Sequence, residues 1–216
     1  MLFRSGGFKR DASGNKIVDA NGLFIQAPNT LFGTVLPKFT GGFLNTFTYK
    51  GLTGSFNIDF SKGGKYYSLS DHWGEFSGLL ERTGGLNDKG IPVREPVADG
   101  GGVRVDAVTA DGKAYSGYVE GKDYYQQFTN HQIGEGSVFD LGYVKLREVS
   151  IGYNIPMAKL GIKQIQGANI SLVARNPFLI YAKNRDFDPS EISNIYGENG
   201  QLPGTRSLGF NIKLTF

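Results

Sequence analysis

The chain of 216 residues has no cysteine. That absence excludes disulfide frameworks, thiolate zinc sites and cysteine nucleophiles together, while leaving the compartment open. Histidine is nearly absent too. His72 and His131 stand alone, without partners at ligand spacing, so no zinc site is expected. No run of about 18 apolar residues exists, which excludes a transmembrane helix. The opening "MLFRSGGFKRDASG" offers only Leu2 and Phe3 as an apolar stretch, so it does not read as a signal peptide, and an export signal would lie outside this sequence. Charge of one sign is lacking as well. Lys and Arg number 23 against 20 Asp and Glu, a net +3 with no basic cluster, so nucleic acid is not an expected partner.

Glycine and aromatics are abundant: 32 Gly, 16 Phe and 11 Tyr. This mixture suits many strands joined by turns. It does not suit helices, where each interior Gly costs about 1 kcal/mol. Mean hydropathy is -0.25. A low mean does not argue against a membrane wall made of strands, because only every second residue of such a strand is apolar.

Period-two alternation marks the strands. "LTGSFNIDF" (52–60) puts Leu52, Gly54, Phe56, Ile58 and Phe60 on one face and Thr53, Ser55, Asn57 and Asp59 on the other. "GGFLNTFTYK" (41–50) precedes it, and Lys50-Gly51 between them predicts a tight hairpin. "FDLGYVKLREVSIGYNIP" (139–156) changes phase part-way along. Val149, Ile151 and Tyr153 share one face and Val144 and Leu146 the other, so a bulge near Lys145–Glu148 is expected. "ANISLVARNPFLIYA" (168–182) alternates until Pro177, which marks a further irregularity. The last strand, 206–216, carries Leu208, Phe210, Ile212, Leu214 and Phe216 on one face. Residues 2–9 are a candidate sixth strand. No internal repeat or low-complexity tract stands out.

Connection lengths alternate. Lys50-Gly51 and 155–167 are short, the latter with room for one helical turn after Pro156, whereas 10–40, 61–138 and 183–205 are long. An outer-membrane barrel has short periplasmic turns and long outer loops, and every connection here has the length its side demands. On that topology Phe43, Phe60, Tyr143, Phe178 and Tyr181 lie near the outer rim, and Tyr49, Tyr153 and Phe216 near the inner one, as aromatic girdles require. Asn57, Asp59, Asn169, Ser171, Arg175, Asn211 and Lys213 face the lumen; they most simply solvate it, with a plug contact as the alternative for Arg175. The long 61–138 segment predicts one short helix, N-capped by Ser70 or Asp71, containing Leu79 and Leu80 and ended by Gly84-Gly85.

Candidate sites are few. "RDFDPSE" brings together Asp186, Asp188 and Glu191. Carboxylates in pairs do acid–base work in glycosidases, but an Asx-Pro turn in a solvated loop is the simpler reading, with contact to a ligand or partner between the two. "RDASGNKIVDANG" fails the EF-hand spacing and is better explained by two Asx-Gly turns, at Ser13-Gly14-Asn15 and Asn21-Gly22, so no metal is expected. "DGGGVRVDAV" (99–108) lacks the spacing of a phosphate cradle and reads as a loop or short hairpin. Trp73, Tyr66, Tyr67, Tyr115, Tyr118, Tyr124 and Tyr125 all lie in the long segment. They either stack on sugars or pack the loop, with Tyr67 and Trp73 kept as candidate contacts.

The runs "FDLGYVKLREVSIGYNIP" and "ISLVARNPFLIYAKNRDFDPSE", then Pro-Gly-Thr-Arg-Ser leading into a last strand that ends in Phe, resemble the C-terminal region of SusC/RagA-type TonB-dependent outer-membrane transporters. "LPKFTGGFLNTFTYKGLTGSFNIDFSKGGKYYS" is similar to the hairpin before them, so the resemblance spans about residues 10 to 216. It implies an all-β fold: an antiparallel transmembrane β-barrel segment of about six C-terminal strands from a 22-stranded barrel, with long extracellular loops. It implies import of oligosaccharides or peptides across the outer membrane of a Gram-negative bacterium, without enzymatic chemistry or a cofactor. The implied partners are a SusD-like surface lipoprotein, TonB acting through an N-terminal region, the barrel-assembly machinery and membrane lipids. Leu208, Phe210, Ile212, Leu214 and Phe216 match the barrel-assembly signal. The plug, the TonB box and upstream strands are missing, so residues 1–216 are expected to be the C-terminal part of a longer protein, with Met1 internal or a truncation point and Phe216 an authentic end. The rival reading is a secreted or surface all-β carbohydrate-binding module, whose apolar strand faces would pack into a closed core.

Overall fold

The computed structural model describes residues 2–157, 161, 165–192 and 197–216. In chain order the elements are β1 (Leu2–Phe8), β2 (Ile17–Val18), β3 (Gln26–Thr34), β4 (Phe39–Tyr49), β5 (Leu52–Lys62), β6 (Lys65–Tyr67), α1 (Leu69–Phe76), β7 (Val103–Thr109), β8 (Ala114–Val119), α2 (Gly121–Asn130), β9 (Val138–Asp140), β10 (Tyr143–Ile155), β11 (Gly167–Ala182) and β12 (Ser207–Thr215). They form two compact units. A loop unit takes Met1–Val35, Lys65–Phe139 and Asn194–Gly200; a sheet unit takes Leu36–Gly64, Asp140–Ser193 and Gln201–Phe216.

The sheet unit is one five-stranded sheet in the order β4-β5-β10-β11-β12, antiparallel throughout. Lys50 (φ 49°) and Gly51 (φ 87°) join β4 to β5. Two consecutive positive φ values are what a two-residue type I′ hairpin demands, which fits the twist of the flanking strands. Register then stacks the apolar residues into cross-strand rows. Tyr49, Leu52, Tyr153, Ile170 and Ile212 form one, and Phe47, Gly54, Ile151, Leu172 and Phe210 the next. The Phe47 ring covers Gly54 so closely that a Cβ there would collide with it. The opposite face carries small polar residues, including Ser55 and Ser150, whose hydroxyls meet at 2.7 Å.

No core covers the apolar rows. Leu208 is 80% exposed, Phe210 75%, Ile212 56%, Leu214 46% and Phe216 76%, as the membrane-wall reading requires and a two-sheet core forbids. Both pairings of β10 skip a residue between Leu146 and Glu148, which is the expected bulge. On β11 the ladder passes from Phe178 to Arg175, skipping Pro177 and Asn176, with Asn176 at φ 48°. Pro177 has no N–H to give a ladder, so the strand bows out around it.

One expected strand pairs elsewhere. Residues 2–8 are extended, but β1 pairs with β3 in a separate two-stranded sheet, so the large sheet has five strands among the described residues. A helical turn after Pro156 falls largely outside the described residues.

The loop unit folds around a real core of Phe8, Val18, Phe24, Val105, Val119, Phe128 and Ile133. Phe8 and Phe24 meet edge-on with centroids 5.0 Å apart, and Phe128 stacks on Phe24 at 6.4 Å. Strands β2, β7 and β8 form a three-stranded sheet in this unit, so "DGGGVRVDAV" is the first half of a hairpin. Residues 61–138 and 10–40 are therefore not open loops. One five-residue turn recurs in them, in "DASGN", "DANGL", "NDKGI" and "TADGK". In each, the first residue's N–H donates to the fifth residue's carbonyl, and the Gly sits at φ between 76° and 87°. Asp11 Oδ1 accepts from the amides of Ser13 and Asn15, and Asp19 Oδ1 from those of Asn21 and Leu23. These carboxylates are occupied by backbone donors, as Asx turns require.

The expected helix is shorter and starts earlier. Its N-cap is Ser68, whose hydroxyl accepts from the Asp71 amide, and α1 ends at Phe76, before Gly78 at φ 73°. Residues Glu81–Gly84 form a separate 3₁₀ turn. Ser70 is not free to cap, because its amide and hydroxyl both donate to the Glu198 carboxylate.

Candidate functional site

In the sheet unit, the β10 bulge and the turn after β11 bring together a charged cluster that no single stretch of sequence displays. Asp59 on β5 and Lys145 on β10 are register partners on the polar face. The bulge gives Arg147 no register partner and turns it toward the same cluster, where its Nε donates to Asp59 Oδ2 at 2.8 Å. Asp188 caps a short 3₁₀ turn, Pro189–Glu191, by accepting from the Ser190 amide. The turn delivers both its carboxylates to one cation. Lys145 Nζ reaches Asp188 Oδ2 at 2.6 Å, Glu191 Oε1 at 3.0 Å and Ser190 Oγ at 3.0 Å. Arg147 Nη1 also donates to Glu191 Oε1 at 2.9 Å, and the Tyr143 hydroxyl donates to Asp59 Oδ2 at 3.2 Å.

Burial makes the cluster tight. The Lys145 side chain is 3% exposed. Removing an ammonium from water is tolerated only when carboxylates replace the lost hydration. Burial opposes ionisation of Asp188, but donors from Lys145 and Ser190 outweigh it and hold the carboxyl below its ordinary range. The Lys145 hydrogen bond is the main cause holding Glu191 low, with Arg147 helping. Acid–base hydrolysis needs one carboxyl pushed up as proton donor. Asp188 and Glu191 are both held low instead, and as carboxylates they pair with Lys145 and, for Glu191, Arg147. Asp186 lies outside the network: it is exposed, and its backbone amide donates to Asn184 Oδ1.

In the loop unit, Tyr67 and Trp73 flank His72. Tyr67 packs against Phe3 and His72, and burial pushes its hydroxyl up to about 12. Trp73 stands half exposed on α1 beside Phe76. Of the other loop tyrosines, Tyr124 stacks edge-on with Phe24 and Phe128, Tyr125 donates to the Arg82 carbonyl and Tyr118 to Asp88. These rings pack the loop. Beneath α1, Arg82 grips Asp71 with two hydrogen bonds of 2.9 and 3.0 Å, and Ser137 donates to the same carboxylate. Burial moves the Glu75 carboxyl beside them upward, against the pull of Arg82. Glu198 binds Ser68, Ser70 and the Gly200 amide at the start of α1, so residues 197–200 are clasped to this helix.

Sequence reasoning reached Asp188 and Glu191 but missed their cations. The signal was present: the phase break at 145–148 holds a Lys and an Arg two apart. Arg175, for which a plug contact is the alternative to solvating the lumen, ion-pairs with Glu148 at 3.0 Å across the β10–β11 ladder. No group of three or more metal-ligating side chains occurs among the described residues.

No family model matches the chain. A curated relative does: a protein named TonB-dependent receptor P26 from Formosa agariphila is 28% identical over 219 aligned positions, covering 94% of this chain and 20% of that protein. Among solved structures, the RagAB peptide transporter superposes with a TM-score of 0.62 at 20% identity, covering 100% of this chain and 23% of that one. The RagAB peptide importer in a "closed-closed" state gives 0.60 at 18% identity. The chain thus spans about a fifth of the length of the relative it matches, and its fold is that of a segment of these transporters. Its similarity to SusC/RagA-type TonB-dependent receptors holds in both sequence and fold.

Proposed function

We propose that this chain forms wall and outer loops of a TonB-dependent importer in the outer membrane of a Gram-negative bacterium, and that the importer carries oligosaccharides or peptides. One observation carries the reading. The apolar residues of five paired strands line up in cross-strand rows on one exposed face, with small polar residues on the other. Water does not tolerate such a face on a soluble monomer, whereas lipid requires it. The tight turn at Lys50-Gly51 and the long connections at the opposite end of the sheet support a periplasmic and an outer side.

On this reading a SusD-like lipoprotein covers the outer loops and TonB acts through a region outside this chain. The barrel-assembly machinery engages the last strand at Leu208, Phe210, Ile212, Leu214 and Phe216. Trp73 and Asp186, the exposed members of the loop candidates, meet ligand or lipoprotein. Asp188 and Glu191 hold the 183–192 turn against the wall through Lys145. The part played here is binding and gating, without a covalent step.

The chain lacks cysteine, so a thiol introduced into it is the only one in this segment. In the intact receptor on whole cells, Trp73→Cys is expected to react with a membrane-impermeant maleimide and Ile151→Cys to be protected. Labelling of Ile151→Cys at the Trp73→Cys rate would remove the membrane reading. Changing Trp73 and Asp186 together to Ala should lower uptake of the oligosaccharide or peptide at unchanged receptor level.

A further inference from the structure

A groove of about 490 Å³ lies in the sheet unit where the apolar rows end, on the side of the long connections. Its floor is aromatic. Phe60, Val144 and Tyr181 are successive members of one cross-strand row, and the Phe39 and Phe60 rings lie 5.5 Å apart. Its rim is basic: Lys38, Lys62 and Lys183 line it beside a single carboxylate, Asp140. Lys183 Nζ is held by Asp140 at 2.8 Å. Lys38 and Lys62 are exposed and enter no ion pair among the described residues. The backbone fixes these two side by side, since the Lys38 amide donates to the Lys62 carbonyl at 2.9 Å and Phe39 is the register partner of Lys62.

We propose that this groove binds the phosphate of a phosphorylated outer-leaflet lipid, whose acyl chains lie along the apolar rows below it. The inference rests on the membrane reading above. Two unpaired ammonium groups against one already neutralised carboxylate select an anion, and Lys is a common phosphate donor through its three N–H bonds. An aromatic floor continuous with exposed apolar rows selects an anion that carries hydrocarbon. The groove sits where such a strand wall passes from hydrocarbon to headgroup, the level at which basic pockets recognise lipid phosphates. Free phosphate would meet the lysines but leave the aromatic floor uncovered.

The test is native mass spectrometry of the intact detergent-solubilised receptor titrated with bis-phosphorylated lipid A, with its dephosphorylated form and with inorganic phosphate. Lipid A should be retained by the wild type, and K38Q/K62Q should weaken retention by about tenfold or more. Lys50→Gln, at the opposite end of the sheet, should leave retention unchanged. Equal retention by wild type and K38Q/K62Q overturns the proposal. So does equal weakening by Lys50→Gln, which would reveal unspecific charge, or effective competition by inorganic phosphate. Receptor that fails to fractionate with the outer membrane removes the membrane reading and the site with it. A receptor that inserts normally but does not distinguish the two lipids removes the site alone.

Discussion

Phe128 is 8% exposed and Phe210 75%, yet each lies on the apolar side of an amphipathic element. The two units of the chain differ in what covers that side. In the loop unit, rings from β1, the segment after β2 and α2 close over one another, and the buried Gln127 has both ends satisfied: its Oε1 accepts from the Phe24 amide and its Nε2 donates to the Tyr124 carbonyl. In the sheet unit the apolar side has no protein cover, and buried polarity is gathered on the other side, around Lys145. A core closed by protein and an apolar sheet face left open thus stand in one short chain, and the same hydrophobic pattern serves both because only the surroundings differ.

The comparison breaks most visibly at the aromatics. Phe128→Ala is expected to destabilise the loop unit by about 3–5 kcal/mol, the range for emptying a large buried site. Phe210→Ala should leave that unit untouched, and hydrogen exchange of loop amides in the intact receptor separates the two. Next in size are charges placed on either face of one strand. Ile151→Arg, on the exposed apolar face, should on the membrane reading cost roughly 2–4 kcal/mol and lower the heat-modifiable, inserted form on gels. Ser150→Arg, one residue along on the polar face, should insert normally, losing only the hydroxyl contact with Ser55, about 1 kcal/mol.

A subtler test concerns the charged cluster. Lys145→Met leaves Asp188 and Glu191 facing an uncharged side chain of similar size, with Arg147 still paired to Glu191 alone. Because the carboxylates are partly solvated, the loss should be about 2–3 kcal/mol, below the full figure for a buried pair, and should appear as faster proteolysis of the 183–192 turn. Acid gives the smallest effect. Asp188, Glu191 and Glu198 have folded values held below the ordinary carboxylate range. Their contribution is complete above that range and fades as pH falls through the lowered folded values. Proteolysis of 183–200 should therefore be unchanged from pH 7 to 5 and should accelerate only below about pH 4.

Much of the sheet unit was legible. Alternation in 41–60 and 206–216, Lys50-Gly51 and the phase break at Lys145–Glu148 each report on neighbours a few residues away, and the structure agrees on all of them. The loop unit was far less so. Helix α2, "GKDYYQQFTN", has few apolar residues, and β2 is two residues long, so neither announces itself in the sequence; they exist because Phe24, Phe128 and Val105 bury one another. The recurrent five-residue turn in "DASGN", "DANGL", "NDKGI" and "TADGK" was a readable sign that these segments fold. Among the candidate site residues, Asp188 and Glu191 stood out as chemistry, but their partners lie more than forty positions upstream.

The sequence alone determined local matters: strands of period two, a type I′ turn from a Lys-Gly pair, a bulge where the period breaks, and an apolar stripe from Leu208 to Phe216. These follow from sterics and side-chain alternation, which act within a few residues. Tertiary structure alone decided which residues share a site and which strands share a sheet. It put Asp59, Lys145, Arg147 and Glu191 in one cluster, sent β1 to pair with β3, and set Lys38 beside Lys62 above an aromatic floor. Such meetings depend on long-range closure, whose gain in burial and ion pairing is collected only after distant segments have come together.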